Sequence, residues 1–145
     1  MTFQAAFYKG TRPGWQGIYS RLVRWIGKGA YSHCEILFSD GMAASASYID
    51  KGVRFKRIEF NPENWDFIDL PASLEAAARE WFVLHNGARY DWRGNVWFVI
   101  PWITHSKSKW FCSEALAAAL GFAEPWRYEP NEIASALRSV QQEAL

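Results

Sequence analysis

Residues 31 to 60 alternate between polar and apolar side chains, and this pattern limits the possible folds more than any other in the chain. Asp-Gly between alternating segments is a strong hairpin signal. The turn signals are Asp40-Gly41 and Lys51-Gly52, which separate runs at 31–38, 42–48 and 53–60. A shorter run follows at 65–70. The middle of the chain therefore predicts an antiparallel meander.

Apolar residues at helical spacing occur both before and after this meander in the sequence. A strand at 3–8 and a helix at 15–26 are expected before it. The helices expected after it run from Pro71 to Gly87, from Phe111 or Cys112 to Gly121, and from Pro130 onward. Residues 92–102 fit a helix or a strand.

An antiparallel sheet with packed helices predicts an α+β fold, and the absence of a linker predicts one domain over 1–145.

Charge and hydropathy exclude several classes of protein. Lys and Arg number 16 against 15 Asp and Glu, a balance that argues against a nucleic-acid binder. The basic run Lys51, Arg54, Lys56 and Arg57 is expected to form a solvated face. The start of the chain lacks the pattern of a signal peptide, and the longest apolar run, 96–103, is too short to span a bilayer. A cytoplasmic location is expected, which leaves contact with a membrane surface open.

Cys112 stands where an apolar helical pattern begins. In the first turn of a helix, the positive end of the dipole favours a thiolate, and unpaired N–H groups can stabilise an oxyanion. A buried structural cysteine is the alternative interpretation. Cys34 falls on the apolar face of the 31–38 run, so it is expected in the core and not as a nucleophile.

His33 and Glu35 share the opposite face of that run. Side chains two apart on a strand point the same way, so Glu35 is placed to orient the imidazole. An ordinary exposed polar face is the alternative. His105, in a polar loop before Cys112, is the backup base. The local spacings match no zinc pattern, so no metal or cofactor is expected.

Two segments carry a family resemblance. Tyr90-Asp91-Trp92-x-Gly94, followed by Phe111-Cys112-Ser113-Glu114 and an apolar helix closed by Gly121, resembles the NlpC-type papain-like hydrolases. The His33 segment precedes the cysteine, an order similar to the circularly permuted branch that includes the YiiX-like proteins and the lecithin:retinol acyltransferase relatives. The ending Tyr128-Glu129-Pro130 also resembles that branch. The resemblance covers roughly residues 31 to 140.

The resemblance implies a permuted papain-like topology and a role for each site residue. Cys112 would attack a carbonyl, His33 would serve as base and then acid, and Tyr90 with the Cys112 N–H would hold the oxyanion. We assign the orienting role to Glu35, with Ser45 in reserve. Glu114 stands where the ordinary family has Gly.

These assignments predict a cysteine peptidase or amidase that forms an acyl-enzyme on Cys112. Its substrate would be a small cell-wall peptide or an acylated, lipid-like molecule. The Trp-rich stretch Trp92, Trp97, Trp102 and Trp110 either lines an apolar groove for such a substrate or packs in the core. An acyltransferase with the same thiol and a non-catalytic binding module remain alternatives. The sequence leaves the oligomeric state open.

Overall fold

An antiparallel sheet organises the part of the chain that the structure, a computed structural model, describes: residues 2–10, 21, 29–89 and 110–143. Its five strands within those residues are β1 (Gln4–Tyr8), β2 (His33–Leu37), β3 (Ala43–Ser47), β4 (Gly52–Lys56) and β5 (Trp65–Asp69). They lie in the order β4-β3-β2-β1-β5, and each neighbouring pair is antiparallel.

The sequence placed all five strands but was wrong about the partner of β5 and about the end of β4. β2, β3 and β4 are consecutive neighbours, whereas β5 pairs with β1. β4 ends at Lys56 and not at residue 60, because the chain then leaves the sheet edge. Phe60 packs at 4.8 Å on Trp65 and at 5.6 Å on Phe67, centroid to centroid. Those contacts attach the connecting segment to β5, which pairs with the free edge of β1.

Three helices are described: α1 (Glu75–His85), α2 (Cys112–Ala119) and α3 (Pro130–Glu143). Gly87 and Gly121, just after α1 and α2, have φ values of +85° and +79°. This left-handed conformation strains any residue with a side chain, so both glycines end their helices as expected. The expected helix at 15–26 lies outside the described residues apart from Arg21, and 92–102 lies wholly outside them.

The alternation in β2 divides the sheet into two faces as predicted. Cys34, Ile36 and Phe38 are fully buried and point toward the helices; the ring of Phe38, for example, meets Phe82 of α1 at 6.5 Å. A single apolar cluster joins residues from both ends of the chain, from Phe3 to Leu137. The described residues therefore form an α+β fold around one core. None of their helices has the length and apolarity that a membrane crossing requires.

Candidate active site

Cys112 begins α2, the position that the sequence predicted. Phe111, its N-cap, is extended, and the first hydrogen bond of the helix runs from the Ala115 N–H to the Phe111 carbonyl at 3.0 Å. The Cys112 N–H therefore takes no part in the hydrogen bonds within the helix. The residue is 5% exposed. The sulfur thus lies at the positive end of a helix dipole, which favours the thiolate.

His33 begins β2, a strand on which α2 packs. The side chain of Asn131, in α3, fixes the start of the strand: its Oδ1 accepts from the Tyr31 N–H at 2.9 Å and its Nδ2 donates to the Tyr31 carbonyl at 3.1 Å. The imidazole of His33 lies close enough to Cys112 for the two groups to shift each other's pKa. The structure thus brings together two groups that are far apart in sequence.

Glu35 binds the far side of the imidazole. Its Oε1 lies 2.8 Å from Nε2 of His33, which leaves Nδ1 as the ring nitrogen for the sulfur. The Ser45 hydroxyl instead donates to the Cys34 carbonyl at 2.7 Å. Between the two candidates for the orienting residue, the geometry favours Glu35. The alternative interpretation of this face as ordinary exposed surface is wrong, because Glu35 is 1% exposed.

Arg54, in β4, is a site residue that the sequence analysis missed. Its two terminal nitrogens bind the two carboxylate oxygens of Glu35 at 2.6 and 2.7 Å, and its Nε binds Asp50 at 2.8 Å. The expectation of a solvated basic face is therefore wrong at this residue. Ser45 pairs with Arg54 in the sheet, so the register carries the guanidinium to the face that holds Glu35. Alternation within the basic run could have indicated which face of the sheet Arg54 lies on, but not that Glu35 is its partner.

Trp65 covers the imidazole from β5. Its ring meets His33 edge-on, with centroids 6.3 Å apart, and it packs on Tyr8 at 5.1 Å. Tyr8 pairs with both His33 and Trp65 in the sheet, so β1 carries the two rings on the same face. No local pattern indicated this contact. Shielding by Trp65 strengthens the charge interactions of the imidazole.

Cys34 is buried in the core as expected, but it also lies near the candidate nucleophile. The Cys34 thiol and the Cys34 backbone N–H both lower the pKa of Cys112. A thiol is a donor and a thiolate is an acceptor, so these neighbours favour the charged form of Cys112. The sequence assigned Cys34 to packing alone, because strand alternation gives its face but not its neighbour on α2.

The electrostatics favour a thiolate–imidazolium pair. Hydrogen bonding from Cys34 lowers the pKa of Cys112, burial raises it, and His33 lowers it further, so the pKa lies well below its usual value. Burial lowers the pKa of His33, but Cys112 and then Glu35 outweigh burial and raise the pKa to about 9. Burial raises the pKa of Glu35, whereas Arg54 and His33 bring it below its ordinary value. Glu35 therefore stays ionised beside the imidazolium.

Several expected features lie outside the described residues: Tyr90, the backup base His105, and Trp92, Trp97 and Trp102. A pocket of about 300 Å³ borders Glu35, Arg54 and Trp65, but neither His33 nor Cys112 lines it. It lies behind the orienting carboxylate and not beside the sulfur. Among the described residues, no three His, Cys, Asp or Glu side chains are grouped to hold a metal ion.

No protein-family model matches the chain, and no curated protein matches it.

Arg54→Met is expected to destabilise the fold by about 3–5 kcal/mol, because it leaves the buried Glu35 carboxylate without its main countercharge. Arg54→Lys should cost less, since it keeps the charge and loses the two-point geometry. Urea unfolding at pH 7 measures both. Lys56→Met is the matched control: Lys56 lies on the same strand and binds the same Asp50 at 3.2 Å, but its side chain is 53% exposed. Equal unfolding midpoints for the Arg54→Met and Lys56→Met variants would contradict the buried pair.

Proposed function

We propose that the protein is a cysteine-dependent hydrolase that cleaves an amide or ester through an acyl-enzyme on Cys112. The observation that carries the proposal is the arrangement of three groups: Cys112 at the start of a helix, His33 near enough to shift the pKa of Cys112, and Glu35 2.8 Å from the imidazole. A nucleophile, a base and an oriented carboxylate in hydrogen-bonding sequence form the arrangement of a catalytic triad. The order His33 before Cys112, in an α+β fold, fits the permuted papain-like topology, which we include in the proposal.

The reaction follows from the charges of these groups. The Cys112 thiolate attacks the substrate carbonyl, and the Cys112 N–H donates to the oxyanion. The His33 imidazolium then protonates the leaving amine or alcohol, which leaves an acyl-enzyme and a neutral imidazole. The imidazole next takes a proton from water, which attacks the acyl group and releases the thiolate. Glu35 holds the ring with Nδ1 toward the sulfur throughout.

Reaction with a p-nitrophenyl ester tests the proposal without knowledge of the natural substrate. The reduced protein is expected to release p-nitrophenol in a burst and to gain one acyl group, which intact mass and peptide mapping locate on Cys112. Decay of the acyl mass in buffer supports hydrolysis. Faster decay with added amines, with the amide as product, would instead assign the acyltransferase alternative. Acylation no faster than that of free cysteine, at neutral pH, would support the non-catalytic binding module and overturn the proposal.

A further inference from the structure

Helix α3 contacts both halves of the candidate site, although the proposed reaction uses none of its residues. It packs on α2, the helix that begins at Cys112, and on β5. Its residues Ile133, Ala134 and Leu137 are buried in the core, and this burial fixes the position of the helix. α3 is therefore a firm support for the start of β2, which it also reaches.

Two polar side chains of α3 hold Tyr31, the residue that lies two positions before His33. Asn131 binds both backbone groups of Tyr31, accepting from the N–H at 2.9 Å and donating to the carbonyl at 3.1 Å. Arg138, about two helical turns further along, donates to the Tyr31 hydroxyl. That hydroxyl donates to Asp66 of β5 at 2.6 Å. Tyr31, which is 6% exposed, is thus held at its backbone and at its side chain.

Asn131 does for Tyr31 what a neighbouring strand does for the residues of β2. The ladder between β1 and β2 ends with Tyr8 opposite His33, and the Tyr8 carbonyl accepts one further hydrogen bond, from the Ser32 N–H at 3.0 Å. The two backbone groups of Tyr31 lie beyond this ladder. Because a buried backbone group without a partner is costly, loss of the Asn131 amide would displace the chain just before His33.

We propose that Asn131 is a positioning residue: it fastens the start of β2 to α3 and so keeps the His33 imidazole in place beside Glu35 and near Cys112. One helix then sets the spacing between the strand that carries the base and the helix that carries the nucleophile. The inference deepens the proposed function and rests on it, since that reaction requires the imidazole at this point.

The charge of the imidazole depends on where the ring lies. Burial lowers the pKa of His33, whereas Cys112 from α2 and Glu35 from β2 raise it, to about 9. The neighbouring strands add a guanidinium behind Glu35 and two rings, which belong to Arg54, Tyr8 and Trp65. A ring that moves away from Cys112 and Glu35 loses the interactions that raise its pKa, so the pKa falls.

Asn131→Ala in the reduced, full-length protein tests the proposal. NMR spectra of the histidine ring nitrogens, recorded from pH 6 to 10, give the pKa of His33, and the signal that is missing from His33→Gln identifies it. We expect the pKa to lie about one pH unit or more below the wild-type value, because an opposite charge nearby shifts a pKa by about 1–3 units. A folded Asn131→Ala protein with the wild-type pKa of His33 would overturn the proposal.

Gly29→Ala disturbs the same amide from the other side. A Cβ at Gly29 would lie 2.2 Å from Oδ1 of Asn131 and 2.3 Å from its Cγ, so the amide must move away from Tyr31. This variant should lower the pKa of His33 as Asn131→Ala does, and it decides the question if Asn131→Ala does not fold. An unchanged pKa in Gly29→Ala would count against the proposal.

Gln141→Ala is the matched control on the same helix. The Gln141 amide also joins α3 to a backbone carbonyl, that of Asp69 in β5 at 2.7 Å, but this bond lies away from β2. The variant should leave the pKa of His33 unchanged. An equal fall in Gln141→Ala would show that any loosening of α3 moves the ring, and would reject a specific role for Asn131.

Acylation by the p-nitrophenyl ester gives the second readout. At pH 7 the burst rate of Asn131→Ala should fall roughly tenfold or more, since a small displacement of a reacting group is costly. Its alkaline limb should move to lower pH together with the pKa of His33. A wild-type rate in this variant would overturn the proposal. If the wild-type protein is not acylated at all, the proposed function fails, whereas the pKa of His33 still decides whether Asn131 positions the ring.

Discussion

Cys112→Ser is expected to abolish acyl-enzyme formation with p-nitrophenyl esters, a loss of roughly 10⁴-fold or more. The hydroxyl keeps the shape of the helix start, but its proton is held far more tightly than that of a thiol. Neither the helix terminus nor His33 ionises it to a useful extent. Burst amplitude and intact mass, measured at pH 7 beside the wild-type protein, give the result.

Two controls make this prediction specific. Circular dichroism should show that the Cys112→Ser fold is unchanged, and Cys112→Ala gives a second variant without the nucleophile. Cys34→Ala should still be acylated on Cys112, but more slowly, because a neighbouring thiol that lowers the pKa of Cys112 has gone. Burst acylation that persists in Cys112→Ser, on Cys34 or any other residue, would show that the nucleophile is misassigned.

His33→Gln is expected to raise the pKa of Cys112, because the imidazolium that lowers it has gone while burial, which raises it, remains. The thiolate fraction at pH 6 should therefore fall. The rate of iodoacetamide alkylation at Cys112 should fall by roughly tenfold or more, somewhat less than the fraction itself, because the more basic thiolate is a better nucleophile. Quantitative peptide mapping across pH 4 to 10 measures the rate at each cysteine.

The sign of each pKa shift fixes the wild-type pH profile. The pKa of Cys112 is lowered, so the thiolate exists above that value and is lost as the pH falls through it. The pKa of His33 is raised to about 9, so the imidazolium exists below that value and is lost as the pH rises through it. Acylation needs both groups, so its rate should depend on pH as a bell-shaped curve. The acid limb should lie well below pH 8.5 and the alkaline limb near pH 9.

His85→Gln is the matched control for the histidine variant. His85 lies on α1, where Nδ1 hydrogen-bonds to the Trp81 carbonyl at 2.7 Å and the ring stacks on Trp81 at 4.0 Å. The ring also meets Trp110 edge-on at 5.2 Å, but none of the contacts described for His85 reaches His33, Glu35 or Cys112, so its removal should leave the alkylation profile of Cys112 unchanged. A wild-type Cys112 that titrates near pH 8.5, or that reacts no faster than Cys34, would contradict the ion pair.

The local pattern was sufficient to place most elements. Alternation predicted the three strands of the hairpin region, and the apolar periodicity with Gly87 and Gly121 predicted where α1 and α2 end. The pairing of β5 with β1 could not be predicted from the sequence, because an isolated run of five residues gives no information about which free strand edge it joins. That choice depends on the side chains of the crossing segment, such as Phe60, which pack on the strand.

Some residues of the candidate site could likewise be assigned from the local sequence, and others could not. Cys112 could be assigned to a helix start, and His33 and Glu35 to one strand face, because both properties depend on residues a few positions apart. The roles of Arg54, Trp65 and Cys34 could not be assigned, because each depends on the register of strands that are distant in sequence.

The sequence by itself determined the period of each element, and with it which side chains share a face, since these follow from backbone geometry over a few residues. Only the tertiary structure decided that an imidazole on β2 lies near a sulfur on α2, that a guanidinium from β4 neutralises the carboxylate behind it, and that the two cysteines belong to one buried cluster. Such meetings depend on how separate elements pack together, and the free energy of that packing comes from the whole core at once.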